Sequence, residues 1–291
     1  SKPEQSYCVC VIEKITHIFM LKNPVLKYYG SKFRLARWII AHFPAHHHYV
    51  EPFGGGGSVL MQKPLSAVET YNDADGDVCN FFRVLRTQPD ELIRQVRLTP
   101  WARNEYEICL ENAPGDDLEN ARRLYVRLWM SRHAGTLSTR AAWRRRRDTR
   151  SPASDLRPQT IYEASKRLSL VQIENRDALK LLKDFDSPDT LFYCDPPYPG
   201  STRTDKKRYA VEMADDDAHQ KFADAVGNIR GMTVVSGYKC DLYRELFEDR
   251  GWTRIDTETL ANGGVKRTES LWLSPQTFEK LKFSGLEIEP D

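Results

Sequence analysis

Apolar residues along this chain recur with two periods, and the switching between them predicts the architecture. From Ser31 to Phe43 the apolar positions Phe33, Leu35, Ala36, Ile39, Ile40 and Phe43 fall near a 3.6 period, predicting a helix that Pro44 ends. The stretch His48–Phe53 reads as a short buried strand running into Gly54–Gly57, after which Ser58 to Gln62 can start a helix. A second strand, Ala67–Tyr71, runs into Asn72–Asp75, and a helical pattern follows from Val78 to Arg86. Strand, glycine turn, helix and strand in this order predict a doubly wound parallel sheet. Helical segments at Asp90–Leu98 and Leu118–Arg132 then lead into a strand-poor run, and alternation resumes with strands at Leu170–Ile173, Thr190–Tyr193 and Met232–Ser236. The fold class expected is α/β, with one catalytic domain built from residues 21–86 and 167–291. Residues 87–166 form a mostly helical insertion, and residues 1–20 an N-terminal extension that the chemistry is expected to tolerate losing.

Composition narrows the class without naming it. With 40% hydrophobic and 29% charged residues in a chain of 291, a folded globular protein with its own core is expected. The apolar stretch Val9–Phe19 is interrupted by Glu13, Lys14 and His17, so neither a secretory core nor a membrane span is predicted, and a cytoplasmic protein is the expectation. The six cysteines are scattered, and Cys8-x-Cys10 has no second pair downstream, so reduced thiols and no metal site are expected. Neighbouring residues of an extended segment point in alternate directions, so His46–His48 reads as a loop before the first strand. Asp215–Asp217 reads as the start of a helix over Ala218–Val226.

A net charge of +2 becomes informative only when mapped. Between Ala121 and Arg150 there are ten arginines against one acid, Asp148, so the rest of the chain is net acidic. Such a run is either a solvated face or a surface for a polyanion; Arg132, Arg140, Arg144, Arg145, Arg146 and Arg147 are the residues best placed for the second role. Trp129 and Trp143 lie among them, as core residues or as platforms for an unpaired base.

The residues that carry chemistry begin with Asp195-Pro196-Pro197-Tyr198, directly after the predicted strand, where open α/β sheets bind their ligands. The exocyclic amine of a nucleobase shares its lone pair with the ring and becomes nucleophilic only when both N–H groups are drawn into hydrogen bonds. The Asp195 carboxylate offers one acceptor and the Pro196 carbonyl, held rigid by two fixed φ angles, offers the other. Tyr198 adds a ring on which an extruded base can stack. A plain turn after a strand is the competing reading of this tetrapeptide. The Phe53-x-Gly55-x-Gly57 loop lets a ligand approach the backbone, and Asp73, about twenty residues further on, suits ribose hydroxyls. A helix cap is the other reading of Asp73 or Asp75.

Together Leu26-Lys-Tyr28-Tyr-Gly30-Ser-Lys32, Val50-Glu51-Pro52-Phe53 with Gly54–Gly57, Asn72-Asp73 and Asp195–Tyr198 resemble, in order, the Dam-like (D12 class) DNA adenine-N6 methyltransferases. The resemblance implies a Rossmann-like S-adenosyl-L-methionine-dependent fold that methylates the 6-amino group of adenine in double-stranded DNA after flipping the base. It implies cofactor contacts from Tyr28, Gly30, Lys32, Glu51, Pro52, Phe53, Gly55, Gly57, Asp73 and Asp177. It further implies a target-adenine site at Asp195, Pro196, Pro197 and Tyr198, and a target-recognition role for 87–166. Lys206 and Lys207 would steady the DNA backbone near the flipped base. The arginine–asparagine–glycine–phenylalanine–asparagine–proline pattern associated with GATC-reading members is absent, which points to a different or relaxed target sequence. A methyltransferase acting on RNA or a protein amide nitrogen, and a DNA-binding protein with an inactive core, are the alternatives. A partnership with a restriction enzyme is compatible with each DNA-directed reading.

Overall fold

In a computed structural model of the chain, the described residues are 20–111, 115–132, 142–145, 156–200, 213, 215–260 and 266–285. They divide into two compact units, one drawn from residues 20–37, 55–65 and 75–173, the other from residues 38–54, 66–74 and 174–285.

The first unit is helical. Its helices are Gly76–Thr87 (α2), Pro89–Leu98 (α3), Arg103–Leu110 (α4), Asp117–Met130 (α5) and Pro158–Leu168 (α6). Asp75 caps α2 by accepting from the Asp77 amide at 3.0 Å, and Asp116 caps α5 by accepting from the Glu119 amide at 2.8 Å. Proline opens both α3 and α6, where its missing N–H costs nothing. The apolar face of α2 places Phe81 against the ring of Tyr125 on α5, with centroids 6.0 Å apart and planes nearly parallel. Over residues 57–63 the chain makes hydrogen-bonded turns, including Met61 N–H to the Gly57 carbonyl at 3.0 Å, instead of the helix expected to start at Ser58.

The second unit is organised by the sheet. Strands His48–Glu51 (β1), Val68–Asn72 (β2), Gln172–Glu174 (β3), Thr190–Cys194 (β4), Met232–Gly237 (β5), Thr253–Leu260 (β6) and Lys266–Leu273 (β7) lie in the order β3-β2-β1-β4-β5-β7-β6. β1 is parallel to β2 and β4, and β4 is parallel to β5, whereas β7 runs antiparallel to β5 and to β6. This is the Rossmann-like plan with an antiparallel hairpin at one edge. The central strands β4 and β5 are buried at every position, as expected of parallel strands covered on both faces. The remaining α-helices are Ala36–Ala41 (α1), Ala178–Asp184 (α7), Asp216–Gly227 (α8), Asp241–Leu246 (α9) and Pro275–Phe283 (α10), and a short 3-10 turn covers Glu248–Arg250. Phe222 of α8, Tyr243 of α9 and the inward residues Phe192, Val235 and Trp272 of the sheet share one apolar core.

Two further expectations change. The first helix covers Ala36–Ala41 and not Ser31–Phe43, because its flanks close in three-residue steps: Leu35 N–H to the Lys32 carbonyl, and Phe43 N–H to the Ile40 carbonyl. The sheet is not wholly parallel, since β6 and β7 pair with each other over eight residues. Among the described residues no helix is long and apolar enough to cross a membrane.

Candidate active site

Strand order reverses beside β1: the chain passes outward through β2 and β3, then returns to lay β4 on the other side. Open α/β sheets bind ligands in the crevice at the carboxyl ends of such strands. Three predicted groups of the second unit end at this edge. Phe53 follows β1, Asp73 follows β2 and Asp195 follows β4. The register aligns Val50 with both Thr70 and Phe192, so the three loops leave the sheet at similar heights.

Between β1 and β2 the edge is locked by Asn72. Its side chain donates to the Pro52 carbonyl at 2.8 Å and to the Arg176 carbonyl at 3.1 Å, while its oxygen accepts from the Arg176 amide at 2.9 Å. The Gly54 amide donates to the Asn72 carbonyl at 2.8 Å, and a Cβ at Gly54 would sit 2.1 Å from the buried Tyr71 ring. Pro52 is buried, and Glu51 is 2% exposed and accepts from the Tyr49 hydroxyl at 2.6 Å. Burial, followed by the charge of Glu51, raises the Tyr49 phenol well above its usual range, keeping it a donor. Phe53 is half-buried, edge-on to Phe222 at 5.5 Å. Asp73 is partly exposed; Asp75, not Asp73, caps the following helix, so that structural reading of Asp73 falls away. Asp177 is exposed and caps α7, accepting from the Lys180 amide at 3.0 Å.

Asp195 is half-exposed, whereas Pro196, Pro197 and Tyr198 are buried. The Ser236 hydroxyl donates to Asp195 Oδ1 at 2.8 Å, and the Tyr193 hydroxyl lies 3.1 Å from Ser236 Oγ. The Tyr198 ring meets that of Tyr238 at 4.7 Å, nearly perpendicular, and its hydroxyl is 3.4 Å from Glu269. Sequence reading missed Ser236, Tyr238 and Glu269. The signal that could have found the first two was their place at the end of a strand whose neighbour runs directly into Asp195.

The first unit carries the remaining predicted residues. The Tyr28 ring packs on the glycine turn, where a Cβ at Gly55 would fall 3.2 Å from it; Gly55 and Gly57 have φ of +47° and +63°, which exclude most side chains. Gly30 also has positive φ, and its carbonyl accepts from the buried Lys32 ammonium at 3.1 Å.

The arginine run is not uniform. Arg122 pairs with Glu105 at 2.6 Å and Glu119 at 2.7 Å, Arg123 with Glu119 at 2.7 Å, and Arg127 with Asp77 at 3.3 Å. These three serve the helical packing. Trp129 is 6% exposed and donates to the Val25 carbonyl at 3.1 Å, so it is a core residue and no platform for a base. Trp143 is half-buried beneath the Arg103 guanidinium, 4.9 Å from its ring centre. Arg132, Arg144 and Arg145 are half-buried or exposed, and Arg132 N–H and Arg144 N–H bond the Ala142 and Met130 carbonyls. Arg140, Arg146, Arg147, Lys206 and Lys207, like residues 1–19 of the extension, lie outside the described residues. Of the predicted histidine loop, His46 bonds the Pro44 carbonyl and Ser66, whereas His48 already opens β1 and bonds Thr70.

Known proteins resemble this chain in sequence. The chain is 24% identical to the DNA adenine methylase of Serratia marcescens over 250 residues, covering 79% of this chain and 88% of that one. It is also 24% identical over 264 residues to the DNA adenine methylase of Vibrio cholerae (strain O395), covering 84% and 92%. A solved precorrin 8W decarboxylase of Methanobacterium thermoautotrophicum aligns at 9% identity and TM-score 0.36, over 87% of this chain and 95% of that one, too weak to bear on the fold. The family of D12 class N6 adenine-specific DNA methyltransferases matches residues 28–260. With the carboxylate and its proline pair at the switch point of a Rossmann-like sheet, and the family pattern spanning most of the sequence, this chain belongs to the D12 class of N6 adenine-specific DNA methyltransferases.

Proposed function

We propose that the residues performing this adenine methylation are Asp195 and the Pro196 carbonyl, acting on a base extruded from double-stranded DNA. The observation that carries the reading is the position of Asp195–Tyr198 beyond the last residue of β4, on the edge that also holds Phe53 and Asp73. S-adenosyl-L-methionine, the methyl donor, supplies an electrophilic methyl group on a sulfonium. The donor set suits that molecule: a partly exposed carboxylate after β2 for ribose hydroxyls, an aromatic ring after β1 for adenine, and a turn free of side chains. Asp73, Phe53, Glu51 and Pro52 are the proposed cofactor residues of the sheet unit, together with Asp177 in the loop after β3. In the helical unit Tyr28, Gly30, Lys32, Gly55 and Gly57 have that role.

Asp195 accepts one N–H of the 6-amino group and the Pro196 carbonyl the other, so the nitrogen lone pair is drawn out of conjugation and directed at the methyl carbon. With the donor bound, the nitrogen held in this way would take up its methyl group, and the proton the nitrogen sheds would pass to the Asp195 carboxylate. Tyr198 stacks on the base and offsets part of the few kcal/mol lost on extrusion. Residues 87–166 read the target, with Arg132, Arg140, Arg144, Arg145, Arg146 and Arg147 on phosphates and base edges, and Lys206 and Lys207 beside the flipped base. The place of action is the cytoplasm of a bacterial or phage-infected cell.

Labelled methyl transfer tests this directly. With duplex DNA, single-stranded DNA and RNA offered separately, label is expected in N6-methyladenine of the duplex; transfer confined to RNA or single strands would refute the duplex substrate. Asp73→Ala is expected to weaken S-adenosyl-L-methionine binding by roughly tenfold to a hundredfold, the loss of hydrogen bonds to a charged acceptor, measured by calorimetry. An unchanged affinity would remove Asp73 from the cofactor site.

A further inference from the structure

We infer that Ser236 and Tyr238, at the carboxyl end of β5, are positioning residues for the methyl transfer, gripping the two ends of the Asp195–Tyr198 tetrapeptide. The inference rests on the reading that this tetrapeptide holds the adenine. A carboxylate turns easily about its last torsion, which has broad minima, so an aspartate at the end of a strand does not by itself keep an oxygen aimed at an amine. Here the Ser236 hydroxyl lies 2.8 Å from Asp195 Oδ1 and is itself 2% exposed. A hydroxyl proton can rotate, and its direction is set by its other neighbour. Tyr193, 3% exposed, places its hydroxyl 3.1 Å from Ser236 Oγ. Burial, and next the charge of Asp195, push the Tyr193 phenol well above its usual range, so it stays protonated and donates to Ser236. The serine proton is then left pointing at Asp195. The chain Tyr193, Ser236, Asp195 thereby fixes the plane of the carboxylate.

The other end of the tetrapeptide is held by the same tripeptide. The Tyr238 ring packs against Tyr198 at 4.7 Å between centroids and 70° between planes, and the Arg267 guanidinium braces Tyr238 through its hydroxyl at 3.3 Å. Between the two, Gly237 has no room for a side chain, since a Cβ would come within 2.9 Å of Tyr243 and 3.2 Å of Trp272. The spacing from Ser236 to Tyr238 is therefore set by close packing, and both contacts come from one rigid strand end.

The test is steady-state methylation of duplex DNA, with cofactor affinity measured separately by calorimetry. Ser236→Ala is expected to lower kcat about tenfold to a hundredfold with KM for DNA and cofactor within about twofold, as for a hydrogen bond to a charged group lost on the way to the transition state. Ser236→Thr, which keeps the hydroxyl, is expected to recover most of kcat. Tyr193→Phe, which removes the director of the serine proton without touching Asp195, is expected to lower kcat severalfold at unchanged KM. Tyr238→Ala is expected to lower kcat, and Tyr238→Phe, which keeps the ring, to retain it. Wild-type kcat in Ser236→Ala alongside an inactive Asp195→Ala overturns the inference and leaves the role of Asp195 standing. Full activity in Asp195→Ala overturns the reading beneath it. A Ser236→Ala enzyme whose loss lies in KM or in cofactor affinity also overturns it, because that is the behaviour of a structural residue.

Discussion

Asp195→Ala is expected to abolish methyl transfer to DNA, lowering kcat by at least about a thousandfold, while leaving the protein folded and able to bind its cofactor. The size follows from what the carboxylate does. In the role proposed for it, the carboxylate would accept an amine hydrogen, stabilise the positive charge that develops on nitrogen as the new bond forms, and take the proton that is shed. Alanine removes all three functions at once. Folding is not at stake, because the half-exposed side chain packs into no core and the backbone of β4 is secured by its ladders to β1 and β5. Asp195→Asn separates the functions: the amide still presents one oxygen, so a loss of about a hundredfold is expected. The comparison is read with labelled methyl groups under saturating cofactor, alongside calorimetry and far-ultraviolet circular dichroism. Substantial transfer by the alanine variant would show that another group activates the amine.

Gly54→Ala is expected to damage both stability and cofactor binding, through sterics alone. A methyl group there would lie 2.1 Å from Cε2 and 2.5 Å from Cδ2 of Tyr71, a ring that is fully buried and has nowhere to go. Relief requires Gly54 to swing away, which breaks its 2.8 Å hydrogen bond to the Asn72 carbonyl and disturbs the turn that Asn72 ties to Pro52. Overpacking of this kind costs about 1–3 kcal/mol or more, and a fall in Tm of about 5 °C is expected in calorimetric scans. Cofactor affinity should fall in parallel, since Gly54 leads directly into the turn proposed to receive it. A variant with wild-type Tm would mean that the turn adjusts freely, contrary to the close packing of Gly54 on Tyr71.

Much of the scaffold could be read from local pattern. Asp215 and Ala218–Val226 announced a capped helix, and α8 is Asp216–Gly227 with Asp215 as its cap. Strands β1, β2, β4 and β5 were legible because buried parallel strands are short apolar runs bounded by turn residues. The β6–β7 hairpin was not legible, because its outer half is exposed and charged, and Lys266, Arg267, Glu258 and Glu269 interrupt the apolar alternation that marks a strand. The arginine run shows the same limit. Its charge was countable, but Arg122, Arg123 and Arg127 are neutralised by Glu105, Glu119 and Asp77, partners up to 50 positions away in the chain.

Local pattern was enough to read the order of elements, the glycine turn, and the presence of Asp73 and Asp195 at strand ends, since helix and strand periods and turn residues act over a few positions. That Trp129 is core, that Asp75 takes the capping role and Asp73 does not, and that Ser236 meets Asp195 across 41 residues became visible with the folded chain alone. The reason is physical: a parallel sheet brings distant segments into register through crossovers, and which side chains then touch depends on strand order, a property that no local window of residues contains.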